Sequence, residues 1–244
     1  MDTAMRYVHI TNLDPVIAGS SKEAGETPLL TKSQGAQQLT PEQEKDVLSH
    51  CIEVYTKLLG RRPTGYRAPL YQLGASTIEL LEQHSILYDA SLAHHDSKPY
   101  YLPSQHSVTP PTYTPSTPAH SWMKPLPRQT PPTASTLIEI PGNWYMEDMT
   151  PLQFWPHVEN SHGYVDVRVI EGMWKDRFDW ILEEAREDGE ERVFPLILHP
   201  DTSGMAHVVG MVKRVLEWVK GFGEEIEFCT FERVAREWKE RNPV

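Results

Sequence analysis

Two ionisable side chains, His199 and Arg67, follow segments that have the composition of buried strands. His199 ends the apolar run 193–198 and is followed by Pro200, which stops a strand. An imidazole at the end of a buried strand titrates near neutral pH and suits proton transfer to a leaving amine. A core histidine that donates to a backbone carbonyl explains the same position equally well.

Arg67 lies in the segment 64–69, which reads Thr-Gly-Tyr-Arg-Ala-Pro. A guanidinium does not lose its proton in a protein, so a buried arginine must face a carboxylate or a substrate oxygen. At the end of a strand it would orient a catalytic acid, whereas the alternative is a surface arginine beside a turn. Arg67 and His199 are separated by the length of about four or five α/β units, whose strand ends meet at one edge of the sheet.

A second group of polar and aromatic side chains predicts contacts with a substrate. The adjacent residues His94, His95 and Asp96 point in different directions, which disfavours a metal site. The nearby Tyr100 and Tyr101 favour Asp96 as a substrate contact instead. Trp144 and Asp148 flank the exit of a predicted strand and would form a wall for a sugar ring, although burial of Trp144 in the core is the alternative. Pro69 is assigned to the same substrate-binding surface, and His162 to a turn.

The overall composition excludes several classes of protein. The chain has 244 residues and a formal net charge of −11, which disfavours binding to nucleic acid or to an anionic membrane surface. Neither a signal peptide nor an apolar run of about 20 residues is present, so a cytoplasmic protein is predicted. The two cysteines, Cys51 and Cys229, lie in apolar patterns and are expected to be buried reduced thiols.

The elements alternate between strand and helix, which predicts an α/β fold with a parallel, barrel-like or doubly wound sheet. Residues 1–38 are poorly patterned, apart from a short strand predicted near residues 6–10. Thr40 and Pro41 begin a helix that Gly60 ends. Ten of the chain's 21 prolines fall in 99–132, which predicts a surface excursion within the domain 39–244.

Several short motifs occur in an order that resembles the polysaccharide deacetylase family, in its chitin-deacetylase-like and cyclic-imide-hydrolase-like branch. The resemblance covers roughly residues 39–241. The motifs that carry it are Gly65-Tyr66-Arg67-Ala68-Pro69, Tyr88-Asp89-Ala90-Ser91-Leu92, Trp122-Met123-Lys124-Pro125-Leu126, Ile138-Glu139-Ile140-Pro141, Ser161-His162-Gly163, the tract 173–180 and Leu198-His199-Pro200-Asp201.

This resemblance implies a distorted (β/α) barrel and hydrolysis of non-peptide C–N bonds, in an acetylated sugar or a cyclic amide or imide. It implies a divalent metal, usually zinc, held by one Asp and two His, beside a second Asp that acts as the base. By position in the motifs, Arg67 matches the arginine that braces the base, and His199 matches the acid that protonates the leaving amine.

The first forty residues depart from the pattern of this family. Leu29 and Ser33 stand where the two metal histidines are expected, and Asp2 and Asp14 follow no predicted buried strand. We therefore assign no residue to the metal and expect the N-terminal strands to be missing or replaced. The chain is expected to be inactive as it stands and to bind no zinc, with an open edge that a second copy could cover. The alternative is a non-catalytic relative that binds a sugar or another small ligand.

Overall fold

A computed structural model describes residues 8–11, 17–18, 39–74, 76–103, 118, 120, 134–154 and 163–243. His162 and most of the proline-rich excursion 99–132 lie outside these residues, as does the Trp122 motif. Within the described residues, no helix is both long enough and apolar enough to cross a membrane.

Eight strands within the described residues form two sheets, and every pairing except one is parallel. The smaller sheet has the order β7-β1-β8, and the larger has the order β2-β3-β4-β6-β5, in which β5 runs antiparallel to β6. The strands are β1 (Val8–Thr11), β2 (Ile17–Ala18), β3 (Gly65–Arg67), β4 (Tyr88–Asp89), β5 (Tyr100–Pro103), β6 (Ala134–Glu139), β7 (Arg192–Pro195) and β8 (Ile226–Cys229).

The helices lie outside the two sheets and close the core. The longer ones begin and end with the expected signals: Thr40 and Gln43 form a capping box on the first helix, and Gly60 ends it in the left-handed conformation. The helices are α1 (Pro41–Leu59), α2 (Thr77–Gln83), α3 (Met149–Leu152), α4 (Val167–Asp188), α5 (Pro200–Ser203), α6 (Ala206–Lys220) and α7 (Phe231–Arg241).

Three apolar clusters show how the layers pack. One lies between the larger sheet and α1 and α2, and a second lies between the smaller sheet and α4 and α6. The third joins Tyr88 and Ile138 of the larger sheet to Val193 of the smaller sheet and to Phe231 of α7. Because the two sheets share this third cluster, they enclose an open barrel. The predicted α/β fold with a barrel-like parallel sheet is confirmed.

The N-terminal segment contributes two strands to this barrel. β1 is the middle strand of the smaller sheet, where Val8 pairs with Arg192 on one side and with Ile226 on the other, and Val8 is wholly buried. β2 pairs with β3 at the edge of the larger sheet. The premise that Asp14 follows no buried strand is therefore wrong, because β1 ends at Thr11; Asp14 itself lies outside the described residues.

Candidate functional site

His199 lies beyond the end of β7, at the first turn of α5. β7 is shorter than predicted and ends at Pro195, and Ile197 forms an isolated parallel bridge with Glu147. His199 then adopts an extended backbone and Pro200 starts the short helix α5, because proline fits the first position of a helix. These local features hold the imidazole at the carboxyl end of the smaller sheet.

The carboxylate of Asp148 contacts the imidazole of His199. Its carboxylate is wholly buried and lies 2.7 Å from His199 Nδ1. It also accepts hydrogen bonds from the backbone N–H of His199, at 3.0 Å, and from the hydroxyl of Ser203. The bridge at Glu147 and the bond from the Asp148 N–H to the Ile197 carbonyl, at 3.2 Å, fix this carboxylate against the segment that carries His199.

Asp148 was predicted to contact substrate, and the structure gives it another setting. A wholly buried carboxylate that accepts from His199 is placed to orient the ring and to balance its charge. Ser203 and Glu147 were not singled out from the sequence. The pairing could have been anticipated only from the position of an acid next to a strand exit, since no local pattern joins residue 148 to residue 199.

The charges around His199 favour its protonated form. Burial lowers the pKa of His199, but the hydrogen bond that His199 donates to Asp148 and the charges of Asp148, Glu147 and Asp201 together raise that pKa above 6.5. Burial raises the pKa of Glu147, which accepts hydrogen bonds from the backbone N–H of Thr150, at 2.9 Å, and from its hydroxyl. The imidazole is thus held as a cation over a wider pH range than an exposed histidine.

Arg67 ends β3 within electrostatic reach of the same acids. Its Nε donates to the Ala90 carbonyl at 3.1 Å, and its Cζ lies 5.3 Å from the centre of the Phe231 ring. One terminal nitrogen, Nη2, is buried without a hydrogen-bond partner. The charges of His199 and Arg67 both lower the pKa of Glu147, against the effect of burial.

A buried pair of carboxyl groups supports the position of Arg67. Asp89 of β4 and Glu139 of β6 are in register and wholly buried, and burial is the main cause that raises the pKa of each. Burial and the neighbouring Asp89 carboxyl raise the pKa of Glu139 well above its usual range, and Glu139 accepts a hydrogen bond from the Leu92 N–H at 2.9 Å. Asp89 in turn accepts from Ser91 Oγ at 2.7 Å, and that oxygen accepts from the Ala68 N–H at 2.8 Å.

The aromatic side chains next to this cluster form a partly exposed wall. The rings of Tyr71 and Trp144 lie 4.5 Å apart, and Trp144 is 44% exposed. The hydroxyl of Tyr71 is buried without a hydrogen-bond partner, and burial raises its pKa. Leu70 and Tyr71 both have positive φ angles, 54° and 57°, which residues other than glycine seldom adopt. Such backbone strain is typical of binding sites.

Pro69 and Asp96 lie at the two ends of this wall. Pro69 begins the turn that carries Tyr71. The exposed carboxylate of Asp96 accepts a hydrogen bond from Asn143 Nδ2 at 3.0 Å and pairs with Arg177. Asn143 precedes Trp144, and Trp174 Nε1 donates to the Tyr145 carbonyl at 2.9 Å, which anchors the loop. The predicted substrate contacts Pro69, Asp96 and Trp144 are therefore connected along one surface, and Asp148 lies behind it.

The described residues do not supply the metal ligands that the family pattern leads us to expect. In those residues, no three His, Cys, Asp or Glu side chains converge in a way that could hold a metal ion. His94 and His95 contact the ring of Tyr100. The side chains of the described residues therefore do not fit a zinc site of one Asp and two His.

Comparisons with known proteins identify the relatives of this chain. No protein-family model matches it. The chain is 50% identical over 204 residues to a peptidoglycan deacetylase-like protein of Gibberella zeae, a match that spans 82% of this chain and 59% of that protein. It is 38% identical over 205 residues to a peptidoglycan deacetylase of Helicobacter pylori, across 84% of this chain and 67% of that protein.

Solved structures agree on the fold. The chain resembles the crystal structure of a polysaccharide deacetylase from Mycobacterium smegmatis with a TM-score of 0.63 and 20% identity, over 83% of this chain and 58% of that one. The chain thus spans about three fifths to two thirds of the length of the proteins it matches. The match to the Helicobacter peptidoglycan deacetylase, at 38% identity, extends over two thirds of that protein. This chain belongs to the polysaccharide deacetylase family.

Proposed function

We propose that the chain forms the proton-donating side of a site that hydrolyses the amide C–N bond of an N-acetylated sugar. The observation that carries this proposal is the buried Asp148 carboxylate, 2.7 Å from His199 Nδ1. With Nδ1 donating to Asp148, the proton on Nε2 is the one directed to a ligand. As the C–N bond breaks, Nε2 gives that proton to the departing nitrogen, which leaves as a neutral amine.

The charges at the site support this role for His199. An acid that donates a proton near neutral pH must be protonated beforehand, and the pKa of His199 is raised by Asp148 and Glu147 against the effect of burial. Arg67 can balance the acidic charge at the site, because its guanidinium lowers the pKa of Glu147. One of its terminal nitrogens is buried without a hydrogen-bond partner. We propose that this nitrogen meets a substrate oxygen or a carboxylate.

The aromatic wall supports a sugar as the ligand. Trp144 and Tyr71 present ring faces that can stack on the apolar face of a pyranose, and Asp96 at the end of the wall can accept hydrogen bonds from hydroxyl groups. The similarity to a peptidoglycan deacetylase and to a peptidoglycan deacetylase-like protein favours an N-acetylated sugar polymer over a cyclic amide or imide. A divalent metal that activates water would supply the remaining half of the reaction, and the described residues offer no ligand set for it.

An external nucleophile tests the proton-donating half by itself. The 244-residue chain is incubated with N-acetylglucosamine oligomers and hydroxylamine, and acetohydroxamate is measured by mass spectrometry. Hydroxylamine attacks the amide carbonyl, the C–N bond breaks and His199 protonates the amine. We expect formation of the product with the wild type and a loss of roughly a hundredfold for His199→Gln, in the range of general acid catalysis. His50→Gln, an exposed histidine on α1, is the matched control.

The second candidate is a non-catalytic protein that binds sugars through the same wall. The exposed rings of Trp144 and Tyr145, 44% and 66% exposed, favour it. Binding of the oligomers without acetohydroxamate would favour this candidate, and equal product from His199→Gln and His50→Gln would refute the role of His199. Without hydroxylamine we expect no release of acetate, and release on addition of zinc would contradict the expected inactivity of the chain.

A further inference from the structure

A cavity of about 790 Å³ lies between α4 and α6, outside the site described above. The two helices run in the same direction, since Glu171 pairs with Arg214, Lys175 lies over the Trp218 ring, and Phe178 contacts Phe222 just beyond the end of α6. The cavity therefore lies beside the N-terminal half of α4 and along α6 between His207 and Arg214. It is lined by Arg168, Glu171, Gly172, Lys175, His207 and Arg214.

The lining of this cavity has an excess of positive charge. Three cationic side chains, Arg168, Lys175 and Arg214, face a single acid, Glu171, in a chain whose net charge is −11. Hydrogen bonds from Arg214 and Lys175 lower the pKa of Glu171, so Glu171 stays ionised. Since the Glu171 carboxylate balances only one of the three cations, the lining keeps a net positive charge. Arg168 also pairs with Asp166, which is not part of the lining.

Glu171 fixes the positions of two of these cations. Its side chain is only 15% exposed, and it accepts from Lys175 Nζ at 2.8 Å and from Arg214 Nε at 2.9 Å. Lys175 is further held over the ring of Trp218, at 5.4 Å. The two cations are thus ordered before any ligand arrives, which reduces the entropy lost on binding.

The backbone leaves room for a ligand beside these cations. Gly172 lies in the second turn of α4, and a Cβ atom added there would meet no heavy atom within 4 Å. α6 begins after Met205, which makes no side-chain capping hydrogen bond to the first turn. Backbone N–H groups at the start of a long helix attract anions. The start of α6, at His207, borders the cavity that also holds the cations.

We propose that this cavity is a second binding site, for a ligand that carries carboxylate or phosphate oxygens. The guanidinium of Arg214 can hold two oxygens of such a group, and Lys175 provides a point charge beside it. A volume of about 790 Å³ accommodates more than one small ion, so a sugar bearing an acidic substituent fits as well. This site is distinct from the His199 pocket and does not depend on hydrolysis.

Direct titration of the 244-residue chain tests the proposal. Inorganic phosphate, acetate, a galacturonate oligomer and the neutral N-acetylglucosamine oligomer are titrated separately, and amide chemical shifts of α4 and α6 are followed by NMR. We expect saturable binding of an anionic probe, weakened roughly tenfold by Arg214→Gln through loss of a charge-assisted hydrogen bond. The matched control is Arg236→Gln, an arginine of similar exposure that pairs with an acid on α7.

A second variant separates binding from folding. Gly172→Ala places a methyl group in the open space and improves helix propensity, so it should raise the unfolding midpoint while it weakens anion binding.

Tighter binding of galacturonate than of phosphate identifies an acidic sugar as the source, and the reverse order identifies a small ion. The proposal is refuted if no anion saturates the shifts, or if Arg214→Gln and Arg236→Gln bind equally well. Because no turnover is measured, failure of the proposed hydrolysis leaves this test unaffected.

Discussion

Replacement of Asp148 by asparagine should both destabilise the fold and lower the pKa of His199. The wild-type carboxylate is wholly buried and accepts from three donors: the His199 N–H, His199 Nδ1 and the Ser203 hydroxyl. An amide has one acceptor oxygen, and its NH₂ group must turn toward at least one of these donors. A buried donor without an acceptor costs about 1–3 kcal/mol, so Asp148→Asn should lose about 2 kcal/mol of unfolding free energy.

The loss caused by Asp148→Asn should depend on pH with a definite sign. The folded-state pKa of His199 is raised above 6.5, so the stability from its protonation is fully present below 6.5 and is lost as pH rises through the folded pKa. Removal of the Asp148 charge removes the main opposition to burial, and the pKa of His199 then falls. The destabilisation should therefore be larger at about pH 6 than at about pH 9.

Urea unfolding at these two pH values, together with NMR titration of the His199 ring, measures both effects. Ser203→Ala is the matched control, because it removes one donor to Asp148 and leaves the carboxylate beside the imidazole. This control should lose stability equally at both pH values and keep the pKa of His199 raised. A loss for Asp148→Asn that is independent of pH, or a pKa of His199 that does not move, would refute the reasoning.

Three further changes test other parts of the molecule. The wild type should lose stability as pH rises from about 4.5 to the raised folded pKa of Glu139, because in this range the folded state keeps the proton of Glu139 and the unfolded state does not. Glu139→Gln should abolish this loss. Urea unfolding at several pH values checks it, and an unchanged dependence of the unfolding free energy on pH would contradict the buried carboxyl pair. Trp144→Ala should weaken binding of N-acetylglucosamine oligomers about tenfold, with stability within about 0.5 kcal/mol of wild type; calorimetric titration decides it, and unchanged affinity would remove Trp144 from the wall. Thr40→Ala should lower the unfolding free energy by about 1 kcal/mol through loss of the capping box, whereas no change would mean that α1 is held by packing alone.

Local sequence signals predicted the helices well because each signal acts within a few residues. Thr40, Pro41 and Gly60 mark the ends of α1 as observed, and α7 spans Phe231–Arg241 as predicted. The alternation of strands and helices was sufficient to predict a parallel, barrel-like sheet. Strand limits were less accurate, since β7 stops at Pro195 where an apolar run to Leu198 had predicted three more residues. Proline cannot donate to a sheet, and only Ile197 resumes pairing beyond it.

The arrangement of the site depends on contacts between distant segments, which no local pattern encodes. Asp148 meets His199 only because Glu147 bridges to Ile197. The Asp89–Glu139 pair likewise requires β4 and β6 to be neighbours, although β5 and the proline-rich excursion separate them in the chain. Each acid interrupts an apolar strand, and that is the one signal in the sequence that could have indicated a buried functional carboxyl group.

The N-terminal strand shows why a poorly patterned segment can still be essential to a fold. β1 has only four residues, but it forms ladders with β7 and with β8 and so joins the strand that precedes His199 to the strand that precedes α7. Its register places Thr11 level with Pro195 and Cys229, so all three strands end at the edge that carries His199. Without β1, β7 and β8 would each expose an unpaired edge beside the largest apolar cluster. The short β1 therefore provides the connection on which the position of the Asp148–His199 pair depends.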